Sequence, residues 1–132
     1  MILVDTSALL ALLDRDDAFH SAAAAALPGL AAEDALVTHE YILVEVIALA
    51  QHRLGLCAGR RLVDDLLPLL EVAWVDPTLH AEAREALLAA GRRTVSLVDW
   101  TSFLVMRRHG VRRAFTFDPD YAIEGFDVVP AA

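Results

Sequence analysis

Three apolar strand formers, Ile2, Leu3 and Val4, run into Asp5 and then almost at once into the helix formers Ala8 to Leu13. A short unbroken apolar run is the pattern of a strand buried on both faces, which belongs in a parallel sheet. Thr6 and Ser7 are suited to cap the helix that follows. With so little chain between strand and helix, Asp5 must lie at the carboxyl edge of the sheet. Open α/β sheets bind their ligands at that edge, where the strand order reverses. Asp5 also has a plainer use, since an aspartate between strand and helix commonly caps the helix.

The remaining sequence keeps alternating between the two periods. Ala35–Thr38, Val72–Val75, Ala114–Phe117 and Phe126–Val129 read as further strands. Between them, Ala18–Leu27 is an Ala-rich helix expected to end at Pro28-Gly29, and His39–Leu54 is a helix apolar around most of its circumference. Ala58–Leu70 is amphipathic, with Leu62, Leu66 and Leu69 inward, Asp64-Asp65 outward and Pro68 fraying the last turn. Asp76-Pro77 starts a helix that stops at Gly91, and a helix opening within Val95–Asp99 runs to His109 with Gly110 as its stop. Strands alternating with helices imply right-handed βαβ units on a parallel sheet, hence a three-layer α/β/α fold. A chain of 132 residues is expected to form one domain, 1–132.

A hydrophobic share of 57% and a mean hydropathy of +0.47 require a search for a membrane span. Ser21–Ala32 is broken by Pro28-Gly29 and Tyr41–Ala50 by Glu45, so neither reaches the roughly 18 to 20 apolar residues needed. No basic segment leads into an apolar core with a cleavage site, and Cys57 is the single cysteine, expected to pack as a small hydrophobe. The expected setting is the reducing cytoplasm, with no membrane. The apolar excess points instead to a surface kept for a partner, with Leu9, Leu12, Leu54, Leu56, Leu66 and Leu69 as candidate groove residues.

A net charge of −8 would ordinarily argue against nucleic acid as a ligand. All eleven basic residues are arginine, however, and eight stand in the doublets Arg60-Arg61, Arg92-Arg93, Arg107-Arg108 and Arg112-Arg113. Guanidinium forks suit phosphate or carboxylate, while doublets at helix ends also offset the macrodipole.

Four acids occupy positions that a plain scaffold would avoid. Asp5 and Asp118 close strands, Glu45 sits inside Leu-Val-Glu-Val-Ile, and Asp99 lies in the first turn of a helix. In a parallel sheet, strand ends and the first turns of the following helices share one edge, so all four can converge. Crowded carboxylates raise one another's pKa unless a cation is bound, and hard oxygen donors select Mg²⁺ or Mn²⁺. Such a site can orient and deprotonate a water and offset charge on a phosphate, which is the chemistry of phosphodiester hydrolysis. Asp120, beyond Pro119, is expected to cap the short turn at Tyr121.

Val-Asp-Thr-Ser-Ala-Leu at the amino terminus, Glu45 in its apolar helix, Ser-Leu-Val-Asp-Trp-Thr-Ser-Phe around Asp99, and Thr-Phe-Asp-Pro-Asp-Tyr before Gly125-Phe126 are together similar to the PIN-domain nucleases. More narrowly, they resemble the VapC toxins of toxin–antitoxin pairs. The resemblance implies a PIN-like fold and a Mg²⁺- or Mn²⁺-dependent endoribonuclease acting on a structured RNA of translation. Asp5, Glu45, Asp99 and Asp118 would hold the metal, with Thr116 beside the last. A cognate VapB-like antitoxin and a homodimer are implied as well. His39 and Glu40 depart from the family pattern, and His39 is expected to be a surface histidine.

Two other chemistries fail on single residues. A haloacid-dehalogenase-like phosphatase needs an acid where Ser7 stands, and a receiver-like phosphoacceptor needs a lysine, of which there is none. The alternative from another class is a PIN-like module that only binds protein or RNA.

Overall fold

A computed structural model describes residues 1–131. Its centre is a five-stranded sheet in the order β3-β2-β1-β4-β5, every neighbouring pair parallel. The strands are β1 (Ile2–Val4), β2 (Leu36–Thr38), β3 (Leu70–Val72), β4 (Arg113–Phe115) and β5 (Asp127–Val129). The helices are α1 (Thr6–Leu13), α2 (His20–Glu33), α3 (Glu40–Leu54), α4 (Leu56–Arg61), α5 (Pro77–Ala90), α6 (Leu97–His109) and α7 (Asp120–Ile123). Successive strands move outward from β1 to β3, then the chain returns past β1 to β4 and β5. Right-handed crossovers in opposite directions place α1–α4 and α5–α7 on opposite faces. Packing of α1 on α2 and α3, and of α5 on α6, agrees with the expected three layers. The reversal lies between β1 and β4, whose register pairs Val4 with Phe115.

Ile2, Leu3, Val4, Ala114 and Phe115 are fully buried, as the apolar runs require. The strands are shorter than read from sequence. β4 ends at Phe115 rather than Phe117, and β3 spans Leu70–Val72 rather than Val72–Val75. The cause is partner length. β1 stops where Asp5 begins to cap α1, and β2 stops where His39 caps α3, so past these ends the ladders add only single bonds, Asp5 N to Phe115 O (3.2 Å), Thr116 N to Val129 O (3.2 Å) and Ala73 N to Thr38 O (2.8 Å).

Two helix expectations are corrected. α2 continues through Pro28-Gly29 to Glu33, because Ala23 and Leu30 bury on either side and the missing N–H falls at an exposed position. The predicted helix Ala58–Leu70 is instead α4, a π turn at Leu62–Leu66 and a 3₁₀ turn at Leu67–Leu69 containing Pro68. Leu62 points inward but Leu69 is exposed. Of the proposed groove residues, Leu9 is core and Leu12 packs against it, whereas Leu54, Leu56 and Leu69 are exposed. Cys57 is exposed rather than packed. No helix among the described residues is long and apolar enough to cross a membrane.

Candidate active site

Asp5 leaves β1 at the reversal point and serves two ends at once. As the cap of α1, its Oδ1 accepts from Ala8 N at 3.1 Å and from Ser7 Oγ at 2.7 Å. Its Oδ2 accepts from Thr116 Oγ1 at 2.7 Å, across the gap to the end of β4. Burial pushes its carboxyl up to about 6, against the pull of these three hydrogen bonds and with a smaller push from Asp118. The carboxylate is therefore held in place without a cation of the chain beside it.

Thr116, not Asp118, occupies the exit of β4. It is fully buried, and its Oγ1 also accepts from Asp118 N at 2.9 Å. Asp118 follows in the turn, where its Oδ1 accepts from Asp120 N at 2.9 Å. Asp120 is not the expected cap: α7 begins at Asp120 without a side-chain cap, Asp118 only closes a turn onto its N–H, and Asp120 is ion-paired to Arg92 at 2.9 Å. Asp99 closes a capping box with Ser96, using Oδ2 for both Ser96 N (2.9 Å) and Ser96 Oγ (3.1 Å). Its carboxyl is raised by burial, then by Glu45 and Asp120; that of Asp118 is raised by burial, then by Asp99 and Asp120. Glu45 receives no hydrogen bond or ion pair from the described residues and lines a cleft with Tyr41, Val44, Ala48, Leu97 and Val98.

Charge repulsion links the four acids in a row, Glu45 to Asp99, Asp99 to Asp118 and Asp118 to Asp5, and Asp120 acts on both Asp99 and Asp118 as well. Among the described residues no three His, Cys, Asp or Glu side chains close into a ready cage for an ion. The donor set the four acids would offer is all oxygen, which suits a hard ion. Thr6 Oγ1 and Trp100 Nε1, each next in sequence to one of the acids, are buried with no protein partner, which leaves donors for ordered water.

Sequence reasoning missed part of the support. Ser7, read as a helix cap, bonds Asp5 and accepts from Phe117 N at 2.9 Å, so it joins β1 to the Asp118 turn. A hydroxyl two residues from an acid was the available signal. His39 is the reverse of a surface histidine. It is fully buried, and its Nε2 lies 2.7 Å from Ser102 Oγ on α6. Its Nδ1 accepts from Ile42 N at 3.4 Å, so the network puts the proton on Nε2 as donor to Ser102, whose own proton goes to Val98 O. Glu40 accepts from Val75 N through both carboxylate oxygens, at 2.8 and 3.1 Å, and ties the β3–α5 loop to α3. Tyr121 lies buried behind the row, its phenol pushed well above the usual value by burial and by Asp5, Asp99 and Asp118.

A five-stranded parallel sheet with helices on both faces and acidic residues beside its reversal point defines a three-layer α/β/α protein with an acidic switch-point edge. The PIN-domain model matches residues 2–125. The 23S rRNA-specific endonuclease VapC20 of Mycobacterium tuberculosis is 35% identical over 130 residues, which cover 96% of this chain and 95% of that one. The chain belongs to the PIN-domain family and, within it, to the VapC-type toxins. The crystal structure of Mycobacterium tuberculosis VapC20, a Sarcin-Ricin loop cleaving toxin, superposes with a TM-score of 0.84 at 33% identity over 96% of both chains. FitAcB from Neisseria gonorrhoeae (TM-score 0.70, 19% identity, 97% and 96% covered) and VapBC2 from Rickettsia felis bound to promoter DNA (0.72, 13%, 97% of both) share the fold. The PIN-domain nucleases are in general divalent-metal dependent.

Asp118 and Asp120 separate a site role from a scaffold role. Asp118→Asn keeps the size of the side chain and is expected to abolish phosphodiester cleavage while shifting stability by about 1 kcal/mol or less. Asp120→Asn removes the partner of Arg92, which keeps Glu124 at 3.4 Å, and is expected to retain cleavage within a few-fold. Paired thermal melts and RNA cleavage rates check both; activity lost only in the Asp120 variant would reverse the assignment.

Proposed function

We propose that the protein is a metal-dependent endoribonuclease, the toxin of a VapBC-type pair, that cuts a structured ribosomal RNA. The row of four carboxylates at the sheet reversal carries this reading. Asp5, Glu45, Asp99 and Asp118 are the residues that hold Mg²⁺ or Mn²⁺. When bound, the ion supplies Lewis acidity toward the phosphate and toward the attacking water. The chain's own part is placement. Ser7 and Thr116 fix both oxygens of Asp5, Ser96 fixes one oxygen of Asp99 and leaves the other free, and the Asp120 N–H orients Asp118. Glu45, with no internal partner, is the carboxylate freest to move with the ion or its waters.

The protein works in the cytoplasm as a homodimer and is silenced by a VapB-like antitoxin. Supporting the partner reading, Val44, Ile47, Leu56 and Val63 leave an exposed apolar strip along α3, α4 and the π turn that follows, and α3 also carries Glu45. An antitoxin segment with an apolar helix could cover that strip while its basic side chains reach the acids.

Purified protein incubated with ribosomal RNA, with and without Mn²⁺ or Mg²⁺, tests the function by mapping new ends. Because VapC20 cleaves the sarcin–ricin loop, that loop is the first region to map. Discrete ends that require the ion and vanish in Asp5→Asn are expected. An identical pattern without metal, or in that variant, would overturn the reading.

A further inference from the structure

Beside Asp118 lies a cleft of about 400 Å³ walled by Phe19, Phe117, Thr116, Pro119 and Val128 as well as by Asp118 itself. Phe19 and Phe117 stack face to face, with centroids 4.6 Å apart and planes inclined by 8°. Phe19 is 48% exposed, so the stack and not burial holds this large apolar ring. Its backbone is pinned as well, Phe19 N donating to Asp17 Oδ1 at 2.8 Å. Phe117 N donates to Ser7 Oγ, and Thr116 bonds Asp5, so the cleft wall and the acid row share one hydrogen-bond network.

We infer that this cleft is a subsite for the nucleobase next to the scissile phosphate, stacked on the Phe19–Phe117 pair. The inference rests on the ribonuclease reading, which puts the phosphate at the acids. On an RNA strand, the group within reach of a phosphate on Asp118's side is a base. None of the eleven arginines lines the cleft, so it offers nothing to a second phosphate or to an acidic chain. Its apolar walls and a parallel aromatic pair suit a third flat ring, and single-stranded or splayed-out bases are recognised by stacking of this kind. Thr116 is the same residue that orients Asp5, so a seated base would set the register of the strand across the acids.

The test is binding, kept apart from cleavage by using Ca²⁺ in place of the catalytic ion. Fluorescence anisotropy compares an oligoadenylate with an abasic strand of equal length, on wild type and on Phe19→Ala, Phe19→Leu and Phe19→Tyr. Wild type should prefer the base-bearing strand. Phe19→Ala and Phe19→Leu should lose about tenfold on it, which is about 1.4 kcal/mol, and nothing on the abasic strand, while Phe19→Tyr should bind as wild type because it keeps the stacking ring. The KM for ribosomal RNA cleavage should rise by the same factor. Equal binding of both strands by wild type, wild-type affinity in Phe19→Leu, or equal losses on both strands would overturn the subsite. Base-dependent binding that Phe19→Ala abolishes, without any metal-dependent cleavage, would instead fault the nuclease reading and reduce the cleft to a base-binding site with no scissile phosphate beside it.

Discussion

Asp5→Asn is expected to lower RNA cleavage by about three orders of magnitude, a loss of roughly 4 kcal/mol of transition-state stabilisation, while making the metal-free protein more stable. The two effects have one origin. Asp5 is an ionised group kept in a buried position, and its carboxyl, pushed up to about 6, is destabilising whenever it is charged. Because the folded value lies above the ordinary 3.8, the destabilisation is absent below that value, grows between pH 3.8 and 6, and is complete above about 6. Asparagine keeps an oxygen for Ala8 N and Ser7, and its amide can donate to Thr116 Oγ1, so capping and the bridge to β4 survive. At pH 7 the variant should therefore gain on the order of 2 kcal/mol in the absence of divalent ions. Millimolar Mg²⁺ or Mn²⁺ should raise the melting temperature of wild type and much less that of Asp5→Asn, since a ligand stabilises only the state that binds it. Thermal melts across pH and metal concentration check this; an equal metal response in both proteins would remove Asp5 from the metal site.

His39 has an opposite and larger pH signature. Burial pushes its imidazole from the ordinary 6.5 down to about 3, so it is neutral in the folded protein. A base whose folded value is depressed contributes in full above pH 6.5 and loses that contribution progressively as the pH falls toward 3. By the bottom of the window the loss is on the order of 4 kcal/mol, enough to unfold a marginal domain. The structural event is the loss of the Ile42 N–H to Nδ1 bond that caps α3, the helix of Glu45, because Nδ1 takes the incoming proton, and the charged ring is then buried against Ser102 on α6, the helix of Asp99. His39→Asn can still cap α3 but cannot reach Ser102 in the same way. It should be less stable than wild type at pH 7.5 by about 1–3 kcal/mol, yet fall less steeply between pH 6.5 and 4. Urea melts at several pH values measure both slopes. Parallel slopes in the two proteins would mean that His39 does not govern the acid limb.

Much of this protein is determined by local sequence. The Ile2–Asp5 run, Asp76-Pro77 and the Gly110 stop are cases where a residue's own conformational preference and its neighbours' polarity point the same way, and each element stands where those signals put it. The four acids are proposed on the same kind of local signal, plainest at Glu45, because a carboxylate inside an apolar stretch is costly wherever the chain folds. What only tertiary structure decided are quantities that depend on a partner distant in sequence. Strand ends were set by the length of the neighbouring strand, so Phe117 and Val75 left the sheet although their own propensity favoured it. The Pro28-Gly29 signal was overridden by the burial of Ala23 and Leu30 on one helix face. Asp120 lies in the first turn of α7 instead of capping it, and its side chain pairs with Arg92, 28 residues away. His39 went inside because Ser102, 63 residues on, could accept its proton. A hydrogen bond or ion pair across such distances leaves no periodicity in the sequence, since its energy depends on two side chains meeting in space and not on the residues beside either one.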